Sequence, residues 1–537
     1  MTRKEQPLEF GTAGVRAIMG DGPTRINRTT IARLALAIAQ TAQDNSSFIV
    51  GYDARNNSRE FAILISSVLL SRGHRISIIP EITVTPLLAW ITKKKKADFG
   101  IMVTSSHNPH EYNGIKVFGS NGTQIVSPLD KDISNAMDSI SWEEAETAGI
   151  QQGGHKEQFS SGVDTTTPED INSYIHSALL PSLNPEREII IAWTPLHGSA
   201  GKYFEKAFSK AGFTTTVPVQ EEFEPDGNFP DLSAPNPENP DNLQKVLSLG
   251  NAISADLLLA TDGDGDRVGA IIPAQFNSWQ ILNGNEIGAL LTWYLLRELQ
   301  CRNMLTGNEV IISTIVSTPL AQKIAKRFGV HYRETLTGFK WMAQAAEEEE
   351  KAGRIPLISF EESNGVAVSP FRDKDGLSAL RLLSEAAAHE KEYGTGLFGM
   401  QQEIAHCCGL HLEETHEIFF EGSNSLQQME STLNTIRNNM PKAVAGQNVT
   451  TWRDLLLQSH WSHNMNQSFQ ELPAQNLLKF FLEDGSWFAL RPSGTEPKLK
   501  IYLGVVVPVE SEFTSTWEKA LHLLHTLSQE VIQSLKI

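Results

Sequence analysis

Met102–Phe118 reads MVTSSHNPHEYNGIKVF, and the rest of the chain is organised around it. The apolar run Ile101–Val103 has the pattern of a buried strand. It empties into Thr104, Ser105, Ser106, His107, Asn108 and Pro109. This small, polar, proline-ended segment predicts a tight loop at the strand's C-terminal edge. In open α/β sheets that edge is where ligands bind. A hydroxyl placed there is a candidate nucleophile, with a neighbouring His, Asn or Lys to orient it or take its proton. Lys116, on a second short apolar run, is placed to reach back as a base or a phosphate contact. Taken alone, a Ser/Asn/Pro segment is an ordinary turn; three other stretches change its reading.

Upstream, strand and helix patterns alternate. Thr29–Thr41 has helical apolar spacing, Phe48–Tyr52 is a strand ending in Asp53 and Arg55, and Phe61–Arg72 is a helix with Ser58 as its expected cap and Gly73 as its stop. Arg75–Ile79 is a strand, and Pro86 sits in the first turn of the next helix. Asn121–Ser127 reads as a turn and short strand. This alternation makes the first domain α/β. The same strand, polar loop and helix recur from Glu188 and again from Glu309. At the N-terminal end, Phe10–Arg16 (FGTAGVR) lets backbone approach a ligand closely, with Arg16 as a fixed charge beside it.

The strand Asp256–Ala260 ends in Thr261, Asp262, Gly263, Asp264, Gly265, Asp266 and Arg267. Three carboxylates on alternate residues repel one another unless a cation offsets them. Hard oxygen ligands at a strand end suit Mg²⁺, which keeps open positions for water and phosphate. A calcium loop starting at Asp262 would need Gly and Glu where this chain has Arg267 and Pro273, so the EF-hand reading fails. Further on, Leu357–Phe360 opens into Glu361, Glu362, Ser363, Asn364 and Gly365, groups able to hydrogen-bond sugar hydroxyls. Finally, Arg491, Ser493, Gly494 and Thr495 lie between two strands. An arginine, two hydroxyls and free backbone N–H groups make a phosphate nest.

Composition narrows the classes. A chain of 537 residues holds several domains. The net charge of -18 repels phosphate backbones, so nucleic acid is not an expected partner. The three cysteines, Cys301, Cys407 and Cys408, have no metal or disulfide spacing. MTRKEQPLEF lacks the apolar core of a signal peptide, and no apolar run approaches the ~20 residues of a membrane span. The expectation is a cytoplasmic protein with no membrane partner. A nucleophile, a divalent-metal loop, a hydroxyl-binding loop and a phosphate nest on four successive units argue together for phosphoryl transfer on a sugar.

TSSHNP, DGDGDR, FEESNG and RPSGTEPKLKIY resemble the four signature loops of the α-D-phosphohexomutases, which include phosphoglucomutases and phosphomannomutases. FGTAGVR, GYDAR, TPLHG and TLTGFKW also look like family segments, so the resemblance covers nearly the whole chain. NGNEIGALLTWYLL and TQIVSP are most similar to the longer branch that holds eukaryotic-type phosphoglucomutase and phosphopentomutase.

The resemblance implies four domains around a central cleft: three similar mixed α/β domains and a smaller C-terminal α+β domain. The expected division is 1–185, with the phosphoserine loop, 186–306, with the metal loop, 307–420, with the sugar loop, and 421–537, with the phosphate loop. It implies that Ser106 is the phosphoserine and shares a Mg²⁺ with Asp262, Asp264 and Asp266. Arg267, Arg16, His107 and Lys116 would surround the transferring phosphoryl, with Lys116 or Arg16 as acid/base group. Lys340, Glu361 and Ser363 would read the sugar, and Arg491, Ser493, Gly494 and Thr495 would grip the phosphate that is not transferred. The implied reaction interconverts hexose 1- and 6-phosphates through a bisphosphate, with hexose 1,6-bisphosphate as activator, in a monomer or weak dimer. Pentose or glucosamine phosphates are the alternatives within the family; a metal-dependent phosphatase and a non-catalytic sensor are those outside it. Gly265 stands where the family more often has alanine, and FEESNG lacks the histidine of the dual-specificity phosphomannomutases.

Overall fold

The computed structural model describes residue 8 and residues 14–151, 166–275, 278–420, 422, 424–463, 469–493, 497–510 and 512–534. Three of its sheets repeat one pattern. In the first unit, four successive strands are Ser47–Tyr52, Arg75–Ile78, Phe99–Val103 and Tyr112–Gly119. In the second they are Ile191–Thr194, Thr216–Pro218, Leu257–Thr261 and Val268–Pro273. In the third they are Glu309–Thr314, His331–Thr335, Ile355–Glu361 and Gly365–Val368. Each sheet is ordered fourth, third, first, second. The first three strands are mutually parallel, and the fourth returns antiparallel to the third. Val15–Ile18 and Trp279–Leu282 each add one antiparallel strand beyond the fourth, in the first and second units.

Short apolar runs buried on both faces build the parallel centre of these sheets, as FGIMV and LLLAT do here. Helices cover the faces. One continuous apolar core runs through the first three units, from Ile49 to Ile404. The segment leaving the first unit is pinned by Glu385, fully buried on the helix Gly376–Glu392. Its carboxylate accepts from Ser182 Oγ and from the Leu183 and Asn184 backbone N–H groups.

The fourth unit differs. Its described strands pair antiparallel throughout, and Leu410–Phe419 pairs along its whole length with Lys498–Val507. The fourth sheet therefore starts ahead of the expected division at 421. The helix Gly284–Cys301 packs on the third unit's sheet through Gly288 and Phe360, although the sequence division at 306 put it with the second. A smaller apolar cluster, with Ile315, Val316 and Leu336 on one side and Trp487 and Tyr502 on the other, joins the third unit to the fourth.

Local differences have clear causes. The second helix starts at Ser58, earlier than the apolar spacing implies. Its N-cap is Asn57 in the left-handed region, and the Ser58 hydroxyl donates to Asp53 instead of capping. The short strand expected within Asn121–Ser127 reduces to one bridge between Phe118 and Gln124. Residues 152–165 lie outside the described residues.

Two predictions follow from the packing. A Cβ at Gly288 would meet the Phe360 ring at 2.2 Å. Gly288→Ala should therefore cost about 1–3 kcal/mol by overpacking, read as a lowered unfolding midpoint in calorimetry. Glu413 sits on the junction strand Leu410–Phe419, and burial, assisted by Glu286, pushes its carboxyl from 4.5 up to about 8. A carboxyl raised on folding contributes stability at low pH that is lost as pH climbs through the folded value. Glu413→Gln should flatten the fall in unfolding free energy between about pH 5 and about pH 9, measured by urea titration at both ends.

Candidate active site

The first three chemical loops are one structural position used three times. Each is the connection from the third strand to the antiparallel fourth: Thr104–Glu111, Asp262–Arg267 and Glu362–Asn364. Packing of the units brings them together: Ser106 Oγ meets Asp262, and Arg267 bridges to Gly365 just past the third loop.

Ser106 has φ +53 and is almost wholly buried. A left-handed non-glycine residue is held there only by its surroundings. Its N–H donates to Thr104 Oγ1 at 2.8 Å. Its carbonyl accepts from Arg55 Nη2 at 2.6 Å. The same guanidinium donates to the carbonyls of Asn108, Pro109 and Tyr112. Arg55 is itself paired with Asp53 and lies over the Phe229 ring of the second unit. The hydroxyl of Ser106 donates to Asp262 Oδ2 at 2.7 Å and lies 3.3 Å from His107 Nδ1. Burial, then Arg267 and Arg16, hold His107 well below its ordinary value, so its imidazole is neutral.

The acidic loop folds against this serine. Asp262 Oδ1 accepts from the backbone N–H groups of Asp266 and Arg267. A Cβ at Gly263 would lie 2.8 Å from the Ser106 carbonyl, so glycine permits the two loops to touch. Gly265 has φ +73, and a Cβ there would meet Val84 at 2.7 Å. Glycine takes this left-handed turn without strain and leaves the space to Val84. Burial, Asp264 and Asp266 push the Asp262 carboxyl up. Asp264 is held down despite burial, because Lys116 and Thr85 bind it. Lys116 Nζ lies 2.6 Å from Asp264 Oδ2 and 2.6 Å from Asp266 Oδ2. Thr85 Oγ1 donates to Asp264 Oδ2 at 2.5 Å.

One carboxylate oxygen from each of the three aspartates lies within 4.8 Å of the others. Asp264 Oδ1 and Asp266 Oδ1 are buried with no hydrogen-bond partner. Unpartnered buried carboxylate oxygens are costly, and all-oxygen donors suit a hard divalent cation. The residues present fit a metal.

Around this centre, Arg16 Nη1 donates to Asn108 Oδ1 at 3.5 Å, with Nε unpartnered. Arg267 donates to Glu238. Glu361 is buried, which raises its carboxyl value, and Ser363 lies beside it in the third loop. Lys340 is directed at Asp130 of the first unit, 3.7 Å away, and lies over Trp341. Arg491 donates to the Tyr502 hydroxyl at 3.1 Å, and the Ser493 N–H donates to the Lys498 carbonyl at 2.8 Å. Gly494 and Thr495, and Phe10–Ala13 of FGTAGVR, lie outside the described residues. A cavity of about 330 Å³ opens between the second, third and fourth units, lined in part by Glu238, Glu362, Asn364 and Tyr502.

Three participants carried no function in the sequence. Arg55 reads as the end of a strand, and Thr85 as a helix start. Lys374 stands between Asp373 and Asp375, in a stretch with no functional motif ahead of the helix from Leu377. In the fold Lys374 is mostly covered, 3.5 Å from Asp266 Oδ2 and over the Phe339 ring. Burial works against its charge, but Asp266, Asp373 and Glu361 raise it above the ordinary lysine value. The only local signal was the density of alternating charge in RDKDG.

Comparison with known proteins agrees with this arrangement. The chain matches phosphoglucomutase/phosphomannomutase alpha/beta/alpha domain I over residues 7–144, domain II over 172–275, domain III over 283–399 and the C-terminal domain over 454–510. It is 32% identical over 510 residues to a phosphoglucomutase of Staphylococcus haemolyticus, spanning 94% of this chain and 91% of that one. It is 30% identical over 548 residues to a phosphopentomutase of Pongo abelii, spanning 97% and 89%. A crystal structure of a phosphoglucomutase/phosphomannomutase family protein from Burkholderia thailandensis shares the fold, with a TM-score of 0.68 at 17% identity, over 98% and 96% of the chains. With all four domains present in order around a serine set on an acidic loop, the chain belongs to the phosphoglucomutase/phosphomannomutase family.

Proposed function

We propose that this protein is a Mg²⁺-dependent phosphohexomutase that interconverts glucose 1-phosphate and glucose 6-phosphate through phospho-Ser106. The observation that carries the reading is the 2.7 Å contact between Ser106 Oγ and Asp262 Oδ2. It joins the nucleophile of one unit to the acidic loop of the next.

In the first half-reaction, phospho-Ser106 gives its phosphoryl group to a free hydroxyl of the sugar phosphate. The bond from phosphorus to Ser106 Oγ breaks as the bond to the sugar oxygen forms; the sugar hydroxyl gives up its proton, and Ser106 Oγ takes one up to become the free hydroxyl. The bisphosphate then turns in the cleft. In the second half-reaction, Ser106 Oγ takes the other phosphoryl group as the sugar O–P bond breaks; the serine proton leaves, and the freed sugar oxygen takes one up. His107 Nδ1 and Asp262 Oδ2 both stand within reach of the serine proton. A bound Mg²⁺, held by Asp262, Asp264, Asp266 and the serine phosphate, would offset charge on the moving phosphoryl group. Lys116, Arg16 and Arg267 add positive charge on the protein side. We assign Lys116, paired to two carboxylates, to the acid side of proton transfer rather than to the base.

Glu361 and Ser363 are assigned to the sugar hydroxyls. Arg491, Ser493, Gly494 and Thr495 are assigned to the phosphate that stays, and Lys340 to sensing the sugar's orientation. A cavity of about 330 Å³ is within the size range of small-molecule sites. The phosphoglucomutase relative supports glucose; the phosphopentomutase relative supports ribose as the second reading. Phosphorylated sugars are then the partners, hexose 1,6-bisphosphate is the activator, and the setting is cytoplasmic, as a monomer or weak dimer. No described helix is long and apolar enough to cross a membrane.

A coupled assay with Mg²⁺ and trace glucose 1,6-bisphosphate tests this reading. Glucose 1-phosphate should turn over faster than mannose, glucosamine or ribose 1-phosphate, and Ser106→Ala should lose at least about a thousandfold in kcat. Release of inorganic phosphate that survives Ser106→Ala would overturn the phosphoserine route in favour of a phosphatase. For the metal, millimolar Mg²⁺ should raise the unfolding temperature of the intact protein, since a ligand that binds only the folded state stabilises it. Asp264→Asn should abolish that rise, and an equal rise in the variant would remove Asp264 from the site.

A further inference from the structure

Arg267 is the guanidinium that the acidic loop itself carries, and its side chain is committed. Its Nη1 donates to Glu238 Oε1, while its Nε is buried without a partner. Among the described residues, Glu238 is the one side chain that hydrogen-bonds it. Glu238 comes from the second unit's long loop, in the sequence Asn236-Pro237-Glu238-Asn239-Pro240.

That loop is stiff. Asn242, almost wholly buried, donates to the carbonyls of Ala234 and Asn236 at 2.7 and 2.9 Å. The Glu238 N–H donates to Asn236 Oδ1 at 3.1 Å. Pro237 lies close enough to Gly269 that a Cβ there would meet it at 2.8 Å. The loop's backbone is thereby clamped next to Arg267, with the Glu238 carboxylate on the wall of the 330 Å³ cavity. About a third of that carboxylate side chain is exposed, whereas Arg267 is mostly buried.

A carboxylate and a phosphoryl group offer the same thing to an arginine: paired anionic oxygens for its fork of N–H donors. Both cannot use one guanidinium at full strength. We propose that Glu238 is a positioning residue that competes with the phosphoryl group for Arg267, and so limits how tightly the cleft holds a bisphosphorylated sugar. The inference rests on the mutase reading, in which the bisphosphate must let go of the protein at one end, turn and rebind. An arginine with no competing anion would hold the phosphoryl group and slow that turn. With the built-in carboxylate, Arg267 exchanges one anion for another and the guanidinium is never left bare. If Glu238 holds Arg267 about nine-tenths of the time, the apparent affinity for the phosphoryl group is about tenfold weaker than the intrinsic one.

The test compares wild type, Glu238→Gln, Glu238→Asp and Glu238→Ala. The first readout is inorganic phosphate binding to the intact protein by calorimetry, which needs no turnover. The second is the glucose 1,6-bisphosphate concentration that gives half-maximal mutase activity. Glu238→Gln should bind phosphate about five- to tenfold more tightly and need correspondingly less bisphosphate. Its kcat should fall, because release is slowed. Glu238→Asp, which keeps the charge, should lie between wild type and Glu238→Gln. A merely structural loss moves the constants the other way, towards weaker binding and a higher bisphosphate requirement, and that result overturns the proposal. Unchanged constants overturn it as well. So does a failure of both Glu238→Gln and Glu238→Ala to fold, since Glu238 would then be a folding residue. If wild type shows no isomerisation of any sugar phosphate, the mutase reading is what fails; the phosphate-binding comparison still decides whether Glu238 competes for Arg267.

Discussion

The ammonium of Lys116 between the carboxylates of Asp264 and Asp266 is the contact on which the rest of the architecture depends. All three side chains are buried. A lone charge in such a place costs several kcal/mol, and only close pairing offsets it. The acidic loop cannot supply its own cations, apart from Arg267. They arrive from other units: Lys116 from the first, Lys374 from the third, with Thr85 of the first adding a hydrogen bond. The charge of these carboxylates is therefore offset only where the three sheets pack together. Charge compensation and domain packing coincide, and the chemistry sits where they meet.

The repeated sheet explains why that meeting point exists. In each of the first three units, the third strand lies between the first and the fourth, and its C-terminal end opens into a short return loop. Parallel sheet centres are apolar on both faces, so polar groups are confined to strand ends. Three copies arranged around one cleft present three such ends to each other. One became the serine loop, one the acidic loop and one the Glu-Glu-Ser loop. The fourth unit follows another rule. Its antiparallel sheet is tied to the third unit through Trp487, Tyr502 and a small apolar cluster rather than through the long core of the others.

Much of this could be read from the chain. Apolar runs located the central strands, the glycine stop at Gly73 located a helix end, and polar loops after strands located Ser106, Asp262, Asp264 and Asp266. What escaped was whatever depends on distant packing. The start of the fourth sheet at Leu410 is legible only through its partner Lys498–Val507. Arg55 and Lys374 carry no legible role, because sequence does not reveal which loop carbonyls will gather on the one or which carboxylates of another unit will meet the other. The placement of Lys340 against Asp130 has the same origin. Residues that stand in a polar loop after an apolar strand were legible even where their partners lie on another unit, as Ser106 and Asp262 do, whereas charges outside such loops, Arg55 and Lys374 among them, were not.

Arg55 shows how far such a distant partner reaches into the chemistry. The serine loop turns through a left-handed Ser106 and gathers its carbonyls on one side, where they need donors. One guanidinium binds four of those carbonyls, at Ser106, Asn108, Pro109 and Tyr112. A lysine has three donors on a single atom and could not span that arc. The same arginine stacks on Phe229, and its backbone bridges Gly227, so the turn that shapes the loop also seats it on the second unit. The Ser106–Asp262 contact is therefore set from behind, by a residue that touches neither hydroxyl nor carboxylate. The strain at Ser106 is tolerated because the loop carbonyls have no better place to go.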